Sequence, residues 1–90
     1  MITIKRSKTF RKHFRARIAP NKNLTQQFAD RVYLFTQGER GHPLNDHALQ
    51  GNKEGLRSFS IRGDVRVIYT IEDDGIVFLD VGSHNQVYGK

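Results

Sequence analysis

Four histidines, His13, His42, His47 and His84, are the side chains here best suited to moving protons near neutral pH. Their settings differ. His47 and His84 lie at predicted loop or strand ends flanked by glycine-containing segments, where reactive groups are commonly presented. His13 falls between the basic and apolar stripes of a helix and reads as a boundary residue, while His42, before Pro43, reads as a turn residue. Sequence spacing alone does not bring His47 and His84 together, and a lone histidine is more often structural than catalytic. No pair has the HExxH spacing of a helix-borne zinc site, so no metal is expected. Cysteine is absent, which removes disulfides, thiolate zinc ligands and a cysteine nucleophile. There is no P-loop and no dinucleotide fingerprint, so no cofactor is expected.

Charge indicates the kind of partner. The 90 residues carry a formal net charge of +6, and the excess is uneven. No acidic residue occurs from Met1 to Ala29, whereas Lys5, Arg6, Lys8, Arg11, Lys12, Arg15, Arg17 and Lys22 are all basic. Such asymmetry points to a polyanion, either nucleic acid or an acidic protein. The competing reading is a solvated basic face with no dedicated ligand. Ninety residues fit one domain, spanning 1–90, and 37% hydrophobic residues are ordinary for a globular chain. No apolar run is long enough for a membrane span, and the N-terminus lacks the apolar core of a signal peptide. A cytoplasmic protein without membrane contact is expected.

The elements that must position these groups follow from periodicity. Ile2 and Ile4 alternate with polar residues as a short strand. Ser7 can cap a helix on which Lys8, Arg11, Lys12 and Arg15 share one face and Phe10, Phe14 and Ile18 another. Pro20 and Asn21 interrupt it, and Asn23 or Thr25 is the expected cap of a second helix with the stripe Leu24, Phe28, Val32 and Phe35. Gly38 suits its left-handed terminus. Glu39 to Gly55 reads as a long ordered loop with a short strand around His47 to Leu49.

Strands then follow at Ser58–Arg62, Val65–Ile71 and Ile76–Val81, joined by Arg62-Gly63-Asp64 and Asp74-Gly75 turns. Val87 and Tyr88 are expected to close the sheet edge. In the central strand Val65, Val67, Tyr69 and Ile71 should face the helices; Arg66, Ile68 and Thr70 should face away, joined by Ser58, Ser60 and Arg62. The fold class is α+β: an N-terminal strand and a helical hairpin packed on a twisted antiparallel sheet.

Four blocks carry a resemblance. Asp46-His47-Ala48-Leu49-Gln50-Gly51 is similar to the DHxLxG segment of YafQ-like toxins, within the RelE/ParE toxin superfamily. Gly55-Leu56-Arg57, Gly63-Asp64-Val65-Arg66-Val67-Ile68-Tyr69 and Gly82-Ser83-His84-Asn85-Gln86-Val87-Tyr88 follow in that family's order. The resemblance implies a ribosome-dependent mRNA endonuclease neutralised by a cognate antitoxin. Its catalytic positions would be His47, Asp64, Arg66, His84 and Tyr88. The basic residues Lys8, Arg11, Lys12, Arg15, Arg57 and Arg62 would meet RNA.

Such a site needs no metal: a ribose 2′-OH attacks the adjacent phosphorus, His84 acts as acid, and His47 or Asp64 acts as base. Arg66 would stabilise the phosphate charge, and Tyr88 would stack on a base or orient a proton. Two positions depart from the YafQ pattern. Ser60 stands where a second histidine is found, and Asp80 where an arginine is found. They leave room for a degenerate toxin that only binds its antitoxin. A ParE-like inhibitor of a topoisomerase would share fold and charge.

Overall fold

The computed structural model describes residues 3–88. Strand β1 (Ile4–Arg6) leads through Ser7 into α1 (Lys8–His13). The Ser7 hydroxyl accepts from Phe10 N at 3.0 Å, the capping geometry its sequence position suggests. The helix then widens into a π-turn over Phe14–Ile18, closed by Ala19 N donating to Phe14 O at 2.9 Å.

Helix α2 (Lys22–Thr36) begins earlier than expected. Its cap is Asn21, whose Oδ1 accepts from Leu24 N at 3.0 Å. Asn23 sits inside the first turn, and the Thr25 hydroxyl donates back to Ile18 O and Asn21 O. Gly38, at φ 92°, ends the helix in the left-handed region as read from sequence.

The sheet has the order β1-β5-β4-β3-β2, with β2 at His47–Ala48, β3 at Arg57–Arg62, β4 at Val65–Glu72 and β5 at Gly75–Ser83. It is mixed, not wholly antiparallel. β1 lies at one edge, parallel to β5 and pairing Ile4 with Ile76, and the helical hairpin carries the chain across to β2 at the opposite edge. The other neighbours are antiparallel. A second correction concerns the last segment: Val87 and Tyr88 belong to a short helix, α3 (His84–Tyr88), and form no edge strand. Ser83 and Gln86 start that helix with a reciprocal cap. Ser83 N donates to Gln86 Oε1 at 2.8 Å, and Gln86 N to Ser83 Oγ at 3.3 Å.

The core lies between the helices and one sheet face. Phe35 of α2 is fully buried at its centre, 4.7 Å from the Phe59 ring centroid and 5.0 Å from that of Tyr69. Phe10, Phe28 and Phe78 extend the aromatic cluster toward α1. Leu44 joins the core from the loop and pins it, since Ser60 N donates to Leu44 O at 2.7 Å.

Alternation fails in two places on β4. Ile71 is 64% exposed, near the tip of the β4–β5 hairpin. Ile68 is buried although it points away from the helices, because α3 folds back over β4 and β5. A register shift between Ile68 and Tyr69 also leaves Leu79 as the extra residue on β5. It re-phases that strand, so Ile76, Phe78 and Val81 all reach the core.

Candidate active site

On the sheet face opposite the helices, β2, the turn after it, β4 and α3 enclose an open cleft of about 430 Å³. His47, Gln50, Lys53, Arg66, His84 and Tyr88 are its polar and ionisable lining. The charged members, Lys53 and Arg66, are both positive, which suits an anion. Four residues singled out for catalysis, His47, Arg66, His84 and Tyr88, are therefore brought together from three elements.

His47 is held in a defined form. Its Nδ1 lies 3.0 Å from Asn45 O, and a carbonyl only accepts, so Nδ1 carries the proton. In the neutral ring Nε2 then holds a lone pair, the form a proton acceptor requires. The strand bearing His47 is moored by Asp46, whose carboxylate is fully buried. Arg57 donates to Asp46 Oδ1 through Nε at 2.9 Å and Nη2 at 2.6 Å, and the Tyr69 hydroxyl donates to Oδ2. Asp46 N donates to Arg40 O at 2.8 Å, and the Arg40 guanidinium stacks 3.9 Å from the Phe35 ring centroid. Burial, and then the Asp46 hydrogen bond, push the Tyr69 phenol up to about 12.

His84 and Tyr88 lie one turn apart on α3, their rings edge to face at 4.4 Å between centroids. Arg66 donates through Nε to Asp64 O at 3.2 Å, which steadies its stem. Among the described residues its terminal nitrogens have no protein partner, so they can bind a phosphate.

The fold agrees with what is found in other proteins. The family described as "Bacterial toxin of type II toxin-antitoxin system, YafQ" matches residues 2–89. The chain belongs to the YafQ toxin family. The crystal structure of YafQ from E. coli strain BL21(DE3) superposes with a TM-score of 0.81 at 22% identity, covering 99% of this chain and 100% of that one. The E. coli DinJ–YafQ complex gives 0.79 at 23% identity, covering 99% and 100%. The Staphylococcus aureus YoeB–YefM complex gives 0.73 at 19% identity, covering 93% and 98%. No curated protein matches in sequence.

Within this YafQ-family site two sequence readings need correction. Asp64 is exposed in the β3–β4 turn and is not among the cleft-lining residues. Arg57 is committed to Asp46 and Tyr69, a role in the fold that the sequence reading did not give it. Asp80 does not line the cleft: its carboxylate lies 2.6 Å from His13 Nδ1 and 3.6 Å from Arg17. Its partners belong to the first helical segment.

Ser60 lies directly across from Arg66 in the β3–β4 register. Arg62, Lys8, Arg11, Lys12 and Arg15 are exposed, as a docking surface requires. Sequence reasoning missed Gln50 and Lys53 as cleft residues, though Gln50 sits inside the block that carries the family resemblance. Among the described residues no cluster of three metal-ligating side chains occurs, and no helix is long and apolar enough to cross a membrane.

Proposed function

We propose that this toxin is a ribosome-dependent mRNA endonuclease, held inactive by a cognate antitoxin in the cytoplasm. The observation that carries the reading is a histidine of fixed tautomer, His47, sharing one cationic cleft with His84 and Arg66. A substrate ribose 2′-OH attacks the adjacent phosphorus while His47 Nε2 takes its proton. The bond from phosphorus to the 5′-oxygen breaks, and His84 protonates that oxygen as it leaves. The products are a 2′,3′-cyclic phosphate and a free 5′-hydroxyl. Arg66 neutralises charge building on the non-bridging oxygens, and Tyr88 offers a face for a base. Asp64, on the neighbouring turn, is placed to orient the Arg66 stem through its carbonyl, and His47 is the better base.

The exposed Lys8, Arg11 and Lys12 of α1 and Arg15 of the π-turn supply a sequence-independent attraction for ribosomal RNA. The same basic surface suits an acidic antitoxin segment. The DinJ–YafQ complex, built on a toxin of this fold, supports an antitoxin as partner. Induced expression in growing cells, with mRNA ends mapped by primer extension, tests the reading. Growth arrest with new 5′ ends that vanish in Arg66→Ala is the expected result. Arrest without new ends would point to topoisomerase inhibition, and no arrest to a degenerate toxin.

A further inference from the structure

The space that a side chain would occupy at Gly82 is filled from two other elements. A Cβ there would lie 2.7 Å from Arg17 Nη1, 3.1 Å from Arg17 Cδ and 2.7 Å from Gln86 Oε1. Gly82 is the cross-strand partner of Arg66, and side chains of such a pair share a face of the sheet. Gln86 belongs to α3, the helix that carries His84 and Tyr88. Arg17 therefore reaches from the π-turn after α1 past the β5 backbone and lays its guanidinium over Gly82, on the sheet face that Arg66 shares, next to the cleft and not among the residues lining it. Absence of a side chain at position 82 is what lets it lie there.

Two contacts moor this arm. Arg17 Nη1 donates to Val81 O at 3.0 Å, and Asp80 Oδ1 lies 3.6 Å from the same nitrogen. Among the described residues both engage Nη1, which leaves Nη2 and Nε to donate elsewhere. At 3.6 Å the carboxylate is close enough to orient the arm and too far for a strong hydrogen bond, so it does not saturate the guanidinium. Arg17 is 22% exposed, so its side chain keeps access to solvent.

We propose that Arg17 is a second phosphate-binding arginine of this site, supplying positive charge from the β5 side while Arg66 supplies it from β4. The inference rests on the RNA-cleaving reading above. It explains why Asp80 is compatible with an anion site. The carboxylate on β5 anchors a guanidinium delivered from a distant part of the chain, so the edge of the cleft keeps a cation although the strand itself carries an acid. Two arginines flanking one phosphodiester share its two non-bridging oxygens, and each contact strengthens as charge builds on them.

Single-turnover cleavage of mRNA on purified ribosomes, with toxin in excess, tests this. Arg17→Gln should slow the cleavage step by about 10–100-fold at saturating toxin, below the loss typical of a lone oxyanion donor because Arg66 remains. Arg17→Lys should recover part of the rate, and both should melt within a few degrees of wild type. An Arg17→Gln rate equal to wild type overturns the inference and leaves the nuclease reading intact. So does a loss that follows the melting temperature and is no smaller in Arg17→Lys. Wild-type toxin that cleaves nothing overturns the nuclease reading itself.

Discussion

Glutamine in place of His84 should lower the rate of mRNA cleavage by ~10²–10⁴-fold, the usual contribution of one positioned acid or base. His47→Gln should cost a similar factor. The two losses differ in their pH dependence. A general acid must hold its proton, so activity falls as pH rises through its titration; a general base must have lost its proton, so activity falls as pH drops. Wild type should give a bell-shaped profile. His84→Gln should flatten the high-pH limb and His47→Gln the low-pH limb. The assignment stands on the Asn45 carbonyl, which fixes His47 with Nε2 as acceptor. A profile unchanged in shape by either substitution would remove that residue from proton transfer, and exchanged limbs would reverse the two roles.

Removing the Asp46 carboxylate should be among the most destabilising single changes in the chain, by about 3 kcal/mol in Asp46→Ala. The carboxylate is fully buried and satisfies both Arg57 and the Tyr69 hydroxyl, which would be left facing each other without an anion. The figure is at the low end for a broken buried pair because Arg57 is 36% exposed and water can take over part of its solvation.

Tyr69→Phe removes the hydroxyl's bond to Asp46 and the longer one it accepts from Arg57, and should cost about 1–2 kcal/mol. It carries a sharper signature in alkali. The folded-state pKa of Tyr69 lies at about 12, above its ordinary 10.0, because the fold favours the protonated phenol. The stability this contributes is complete below pH 10 and drains away as pH rises to about 12. Chemical denaturation across that window should show a falling stability in wild type and a flatter one in Tyr69→Phe. Equal slopes would show that Tyr69 is not the group responsible.

Much of this architecture is readable from residue pattern, for reasons that also mark where reading stops. The helical stripes ending in Phe35 and the alternation of Phe59 and Ile61 are local signals with a fixed period, and both reach the core. The parallel placement of β1 is not local; it pairs Ile4 with Ile76 near the other end of the chain. The bulge at Leu79 has no marker in the residues around it, yet it decides that Val81 faces the core. Val87 and Tyr88 have strand-like types, and the Ser83–Gln86 cap, separated by three positions, is the sequence cue that turns them into a helix.

The site divides in the same way. His47, Arg66, His84 and Tyr88 are exposed by type and by family resemblance, and the fold collects them. Arg57 and Asp64 carry equally suggestive side chains, but long-range contacts decide their use: Arg57 closes on Asp46, and Asp64 stays in its turn. Arg17 sits 65 positions before Gly82, and no spacing rule links the two.

The most direct test of RNA cleavage by this cleft is a single atom of the substrate. An mRNA carrying 2′-deoxyribose only at the nucleotide 5′ to the cut should be bound on the ribosome as well as its all-ribose counterpart and should not be cleaved there. The all-ribose message should end in a 2′,3′-cyclic phosphate. Cutting of the deoxy message at the same position and rate would contradict attack by the 2′-OH, and with it the roles given to His47 and His84.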